Sequence, residues 1–259
     1  MSDAAKTRTD TRAAIVDAAA ALLRESGPGA VTTRGVAERA GVQAPAIYRL
    51  FGDKDGLLEA VAEHVMSAFV TEKAASAAAA EAAAADPLAD LRASWRRQIE
   101  FGLANPAVFR LLSDPERVLG SPAARTGRQI LAARVHRLAA AGRLRVAEPR
   151  AVDLIHAAGV GTVQTLLATP PEQRDPALGE AMMDAVLGRI LVDGPAGAAD
   201  GVLAQAVALR ALAPELDVLS TPERHLLVEW LDRVVGALAA APGAVGAPGS
   251  VDHAQALPD

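Results

Sequence analysis

Residues 33–54 read TRGVAERAGVQAPAIYRLFGDK, and glycines cut this run into two helical pieces of about two turns each. Val36, Ala37 and Ala40 recur at the spacing of one helix face. Gly41 then stands where a helix takes a left-handed terminator, and Val42 is placed to pack back on the helix it ends. A second piece, Ala44 to Phe51, turns Ile47, Leu50 and Phe51 inward; Pro45 fits its first turn, where N–H groups lack intrahelical partners. Thr32 or Thr33 supplies the N-cap oxygen of the first piece. Gly52 ends the second, and Asp53 caps the helix that follows. Two short helices about a tight glycine turn predict a helix-turn-helix.

Composition carries this helical reading to the whole chain. Of 259 residues, 51% are hydrophobic but only 3% aromatic, so the core must be built from Ala, Leu, Val and Ile. Alanine loses no side-chain entropy in a helix, and no alternating run of β-branched residues predicts a strand. Cysteine is absent, which excludes disulfides, thiolate zinc sites and a Cys nucleophile. The polar start, Met1 to Arg12, has no apolar signal core, and the longest uncharged stretch in the body, Leu154 to Pro171, is short and interrupted by His156, Gln164, two Gly and two Pro. The expectation is a soluble, cytoplasmic protein with no membrane partner. Net charge is −5, yet residues 1–54 hold eight Lys/Arg against six Asp/Glu, a head of about +2 on an acidic body.

The chain divides accordingly. Residues 1–10 are expected to form a disordered arm, 11–65 the helix-turn-helix domain, 66–240 a helical body and 241–259 a disordered tail rich in Gly, Pro and Ala. A first helix from about Thr11 to Glu25 carries Ile15, Ala18, Ala19, Leu22 and Leu23 on one stripe. A long fourth helix turns Leu57, Leu58, Val61, Val65 and Phe69 inward and fades through an Ala-rich run, and Asp86-Pro87 is the sharpest break after it. Body helices are predicted near 88–104, 122–142, 150–168, 176–192, 199–213 and 222–240, with a short piece at 107–112 and a break at Gly194-Pro195-Ala196-Gly197. Ser220 and Glu223 have capping-box spacing.

The outward positions of the second short helix, Gln43, Ala44, Ala46 and Arg49, are mostly small, which lets a backbone approach base edges in a major groove. Thr33 at a helix start, the Tyr48 hydroxyl and Lys54 suit phosphate. The run Val36-Ala37-Glu38-Arg39-Ala40-Gly41-Val42, then Ile47-Tyr48, Phe51, Lys54 and Leu57-Leu58, closely resembles the DNA-binding domain of the tetracycline-repressor (TetR) family over about Thr11 to Val65. The resemblance implies an all-α homodimer: an N-terminal three-helix helix-turn-helix DNA-binding domain, then a C-terminal helical ligand-binding and dimerisation domain. It implies that Thr33, Tyr48 and Lys54 touch the backbone of double-stranded operator DNA and that Gln43, Ala44, Pro45 and Ala46 face bases. Arg34 and Arg49 complete the candidate DNA-binding set, with a solvated surface arginine as the other reading of Arg49. Lys6, Arg8 and Arg12 could equally line DNA or be solvated. Three positions depart from the pattern: Gly35 replaces an acidic residue, Gln43 a Ser or Thr cap, and Leu50 a common His.

For the body the resemblance implies a small-molecule effector and dimerisation through two late helices, here 150–168 and 176–192. Ala157, Ala158, Gly159 and Gly161 permit close approach, and Val152, Ile155, Val163, Leu166, Leu167, Met182, Val186, Leu187 and Ile190 supply apolar area. Trp95, Phe101, Phe109 and Gln164 are nominated to line the effector cavity, against ordinary core packing. His136 and His156 are weaker candidates, and Trp230 reads as packing for the last helix. No cofactor or metal is implied, and no nucleophile elbow, phosphate loop or HExxH pair points to an enzyme. The expected function is a repressor that an effector releases from its operator; the alternative is a dimeric interaction or ligand-binding module that kept the fold and lost specific DNA binding.

Overall fold

The computed structural model describes residues 3–111, 113–192 and 198–240. These form twelve α-helices: α1 (Asp3–Ser26), α2 (Thr33–Ala40), α3 (Ala44–Phe51), α4 (Lys54–Ala82), α5 (Pro87–Ala104), α6 (Pro106–Leu111), α7 (Pro115–Gly120), α8 (Pro122–Ala140), α9 (Glu148–Ala168), α10 (Leu178–Ile190), α11 (Ala198–Leu212) and α12 (Thr221–Ala240). Among the described residues the only extended pairing is an isolated bridge between Leu144 and Leu191. The fold is all-α, as the composition required.

Helix α1 begins at Asp3, not near Thr11, so residues 3–10 are helical where a disordered arm was expected. No Gly or Pro interrupts the chain before Gly27, so nothing stops the helix from extending toward the N-terminus. Met1, Ser2, the break at 194–197 and the tail at 241–259 lie outside the described residues. Helix α7 was not anticipated; Asp114 caps it through the Glu116 N–H at 3.0 Å, and Pro115 occupies its first turn.

The described residues divide into two compact units, those within 3–138 and 148–190, and those within 139–147 and 191–240. In the first, Ile15, Ala19, Leu23, Val36, Ile47, Leu57 and Val61 share one core at the N-terminal end. That core does not stop near residue 65. Val108 of α6 is buried in it, and Phe101 of α5 packs against it.

Helices α5 and α9 approach closely because two glycines make room. A Cβ on Gly102 would lie 2.6 Å from a Val163 methyl, and one on Gly159 would lie 3.4 Å from the Trp95 ring. Helix α9 is long and apolar enough, by length and composition alone, to cross a membrane. Its Val152, Ile155, Val163 and Leu166 are buried, on a helix that packs against α5 and α10, which is the pattern of a core helix. Helix α8 is fixed to α5 by a buried charge cluster: Arg134 and Arg137 approach the Asp90 carboxylate at 3.0 and 3.2 Å, with Arg134 and Asp90 almost wholly buried. Arg137 also donates to the Ala85 carbonyl at 2.8 Å.

In the second unit α11 packs on α12, with Ala204, Val207, Ala211 and Val235 buried. Glu223 reaches back to the Ser220 N–H at 2.8 Å, completing that half of the expected capping box. Trp230 does not pack inward as expected but is 53% exposed. It shares the outer stripe of α12 with Leu226 and Val234, four residues to either side.

Candidate nucleic-acid interface and body cavity

Helix α2 starts on Thr32, whose Oγ1 accepts from the Gly35 N–H at 3.0 Å. That settles the cap between the two threonines and leaves Thr33 half-exposed on the first turn. Gly35, one of the three departures from the family pattern, lies at the cap bond itself, and a Cβ there would stand 3.1 Å from Thr32 Oγ1. Gly41 is left-handed (φ 67°), and the Val42 N–H donates back to the Ala37 carbonyl at 3.0 Å. This closed end sets the angle between α2 and α3.

Ile47 is fully buried and anchors α3, with Leu50 and Phe51 half-buried beside it. Ala44, expected outward, instead packs on the same core, because it lies three residues before Ile47 on one helix face. Pro45, Tyr48 and Arg49 are exposed, Tyr48 by 54%, and Ala46 is half-exposed at their edge. Gln43 occupies the N-cap position with extended backbone and makes no capping bond through its side chain. Its side chain is exposed.

Past α3 the chain turns sharply. Gly52 has φ 81°, Asp53 Oδ1 accepts from the Gly56 N–H at 2.8 Å, and any Cβ on Gly56 would fall 2.2 Å from the Phe51 carbonyl oxygen. Glycine is therefore obligatory at 56 for a steric reason the sequence did not disclose. The turn places Lys54, exposed, on the first residue of α4. Arg34 is exposed as well. Arg39 is engaged elsewhere: it grips Glu25 of α1 through two bonds of 2.6 and 2.7 Å. That hydrogen-bonded guanidinium holds the Glu25 carboxyl below its usual range. Arg12, on helix α1 and exposed, stacks over the Phe51 ring at 4.8 Å. The second short helix thus presents a thin outer face, Gln43, Pro45, Ala46, Tyr48 and Arg49, flanked by Thr33, Arg34 and Lys54.

A cavity of about 220 Å³ lies inside the first unit, walled by α4, α5, α8 and α9 with α6 and α7 at its rim. Trp95, Phe101 and Phe109 line it as expected, and so does His156. Gln164 does not: it is exposed on α9, one turn beyond Val160, the last residue of that helix to line the cavity. His136 is also elsewhere, 3.2 Å from Glu148. The Trp95 indole N–H donates to the Gly179 carbonyl at 2.9 Å, and Phe101 stacks on Phe69 with ring centres 3.9 Å apart. Sequence reasoning missed Lys73 and Gln98, which join in the cavity wall at 3.1 Å. The signal was present: Lys73 continues the inward row Val61, Val65, Phe69 at intervals of four. Among the described residues no group of three or more His, Cys, Asp or Glu could hold a metal ion.

The outer helices offered for dimerisation are more buried than expected. Val152, Ile155, Val163, Leu166, Leu187 and Ile190 face the protomer's own core. Among the residues that α9 and α10 expose are small ones, Ala157, Gly161 and Ala168 on the first and Ala181, Ala185 and Gly188 on the second, beside polar and charged ones such as Asp153, Gln164 and Asp184.

Residues 15–61 match the family described as bacterial regulatory proteins, tetR family. Among characterised proteins, the regulator BetI of Paraburkholderia xenovorans is 38% identical over 82 residues, 32% of this chain and 40% of BetI. The class A tetracycline repressor from transposon 1721 of Escherichia coli is 47% identical over 53 residues, 20% of this chain and 24% of that repressor. The chain thus matches well under half the length of these relatives. Over a longer span the fold resembles the regulator FadR of Bacillus subtilis, solved with stearoyl-CoA: 18% identity, TM-score 0.52, 67% of this chain and 96% of that one.

Proposed function

We propose, from the premise that this chain belongs to the tetR family of bacterial regulatory proteins, that it is a homodimeric repressor released from operator DNA by a small molecule bound in its body cavity. The match of residues 15–61 to that family supports reading it as a DNA-binding transcriptional regulator. The observation that carries the finer reading is the outer face of α3. Its backbone is fixed from behind by Ile47, and its exposed residues leave polar groups unused by the protein's own capping. In this reading Gln43, Pro45, Ala46 and Arg49 meet base edges, while Thr33, Arg34, Tyr48 and Lys54 hold phosphates. Ala44 contributes only its backbone.

Coupling to the cavity runs through two helices shared by both places. The first turns of α4 hold Leu57 and Val61 in the head core, and the same helix brings Phe69, Val70 and Lys73 to the cavity. On α6 the division falls between neighbours: Val108 is buried in the head core and Phe109 lines the cavity. Glu63 of α4 also caps α8, accepting from the Ser121 hydroxyl at 2.6 Å and the Ala123 N–H at 2.8 Å. A ligand that shifts α4 or α6 therefore tilts the head. Coupling of about 1–3 kcal/mol is the usual size of such linkage.

The dimer is proposed to form where α9 and α10 expose small residues, allowing four helices to pack closely about a two-fold axis. Each head then reads one half-site, with centres one helical turn apart, about 34–36 Å. Selection from random duplexes followed by sequencing tests this. The expected result is a two-fold symmetric site with that spacing. Retention without sequence preference would contradict it.

A further inference from the structure

The cavity holds an ammonium group that no carboxylate answers. Lys73 is 9% exposed; its Nζ donates to the Gln98 Oε1 at 3.1 Å and lies 5.4 Å from the centre of the Phe69 ring. An ammonium has three N–H groups, and a neutral amide oxygen and a π face are weak compensation for the hydration it gives up. The charges around it have the wrong sign. Burial first, and then the positive potential of Arg134 of α8 and Arg97 of α5, bring the Lys73 pKa down to about 8. His156 of α9, on the cavity wall, is itself disfavoured as a cation by partial burial and by Arg128 and Lys73, with Asp153 acting the other way. Asp90 is the one acidic residue buried among the described residues, and Arg134 and Arg137 both engage it.

We propose that the cavity binds a small carboxylic acid, its apolar body lying among Trp95, Phe101, Phe109, Leu131 and Ile155 and its carboxylate neutralising Lys73. This rests on the reading of the cavity as the effector site. The volume of about 220 Å³ exceeds the ~150 Å³ that accepts benzene, which admits one ring with a short chain. A carboxylate suits one lysine and one amide. Arg128 lies on the wall too but is held by Asp153, which leaves Lys73 as the one Lys or Arg of the lining without a carboxylate partner; a phosphate dianion would call for a second. The anion also supplies the partner that the fold withholds from Lys73, so binding relieves a cost already present in the empty protein.

Three probes of one shape test the proposal: 4-phenylbutyrate, 4-phenylbutan-1-ol and 4-phenylbutan-1-amine, titrated calorimetrically into the full chain at pH 7. The acid is expected to bind at least about tenfold tighter than the alcohol, and the amine most weakly. Lys73→Met, which keeps the length of the stem, should abolish the preference for the acid. In the unaltered protein, affinity for the acid should fall about tenfold per pH unit above about pH 8 while that for the alcohol stays level; this arm needs no variant to fold. Equal binding of acid and alcohol, an acid preference that survives Lys73→Met, or binding of none of the three would overturn the proposal. A fourth arm separates it from the effector reading. Acid bound through Lys73 without effect on operator affinity leaves this proposal standing and removes the effector role. Release of operator by the alcohol but not the acid does the reverse.

Discussion

The outer face of α3 and the cavity behind it are assembled in opposite ways. The face comes from residues 43–49, held in place by a single buried isoleucine and two terminating glycines. The cavity draws its walls from residues 66–160 on separate helices, and its most polar corner joins Lys73 to Gln98 across 25 positions of sequence. The face keeps its polar groups in water until a partner arrives, so it costs the folded protein little. The cavity buries a cation without a counter-charge. On the proposed reading, the surface for DNA can be stable while idle, whereas the ligand site gains by being unsatisfied when empty.

The largest test of that contrast removes the buried carboxylate. Asp90→Ala leaves Arg134, only 1% exposed, without its counter-ion. A loss of about 3–5 kcal/mol is expected in denaturant unfolding, together with loss of ligand binding. Unchanged stability would mean that the cluster does not hold α5 to α8.

Lys73→Met should act in the other direction. In the folded protein the lysine pKa is lowered from 10.5 to about 8, so the unfolded chain retains a proton that the folded one has lost between those values. The stability of the unaltered protein therefore rises with pH across that window and is lost again as pH falls toward 8. The variant should be more stable at pH 7 by roughly 3 kcal/mol, with the gap closing near pH 10.5. A constant gap in parallel melts at pH 7, 8.5 and 10 would show that Lys73 is not an uncompensated cation.

On the DNA side, Gln43→Ala should alter base preference by about 1–3 kcal/mol at one position of each half-site. It should leave the melting temperature unchanged, since its side chain caps nothing. Thr32→Ala should do the reverse, lowering stability by about 1 kcal/mol through loss of the bond to the Gly35 N–H, with base preference retained. Exchanged outcomes would mean that the cap and the reader have been assigned the wrong way round. Smallest of all, Lys54→Ala should weaken binding to all sequences alike and reduce the salt slope by about 0.9 for each Lys54 in contact with a phosphate.

How much of this was legible depends on the range of the forces involved. Gly41 and Gly52 announced the ends of α2 and α3, and Ile47 its anchor, because backbone sterics and helical periodicity act within a few residues. The same reasoning failed where a neighbouring element decides. Ala44 looked outward by composition but packs on the head core. Gln164 was assigned to the cavity, yet which side of α9 faces inward is set by α5, through Gly102 against Val163 and Gly159 against Trp95. The aromatic lining at Trp95, Phe101 and Phe109 could be nominated because large rings in an aromatic-poor chain have few places to go. Their partner Lys73 was passed over because a charge in an alanine-rich run reads as solvated, although its spacing from Phe69 placed it on the buried row. Trp230 erred the other way, since neither its size nor its position requires a helix to bury it.

The measurement closest to the central claim is a fluorescence-anisotropy titration of the full chain, without ligand, against its selected operator duplex over a range of salt concentrations. Tight binding at low salt, with log affinity falling linearly and steeply against log salt and a mismatched duplex bound about 10³-fold or more weakly, is the predicted result. Absence of binding at low ionic strength, or equal affinity for matched and mismatched duplexes, would contradict the assignment of the α3 face to DNA.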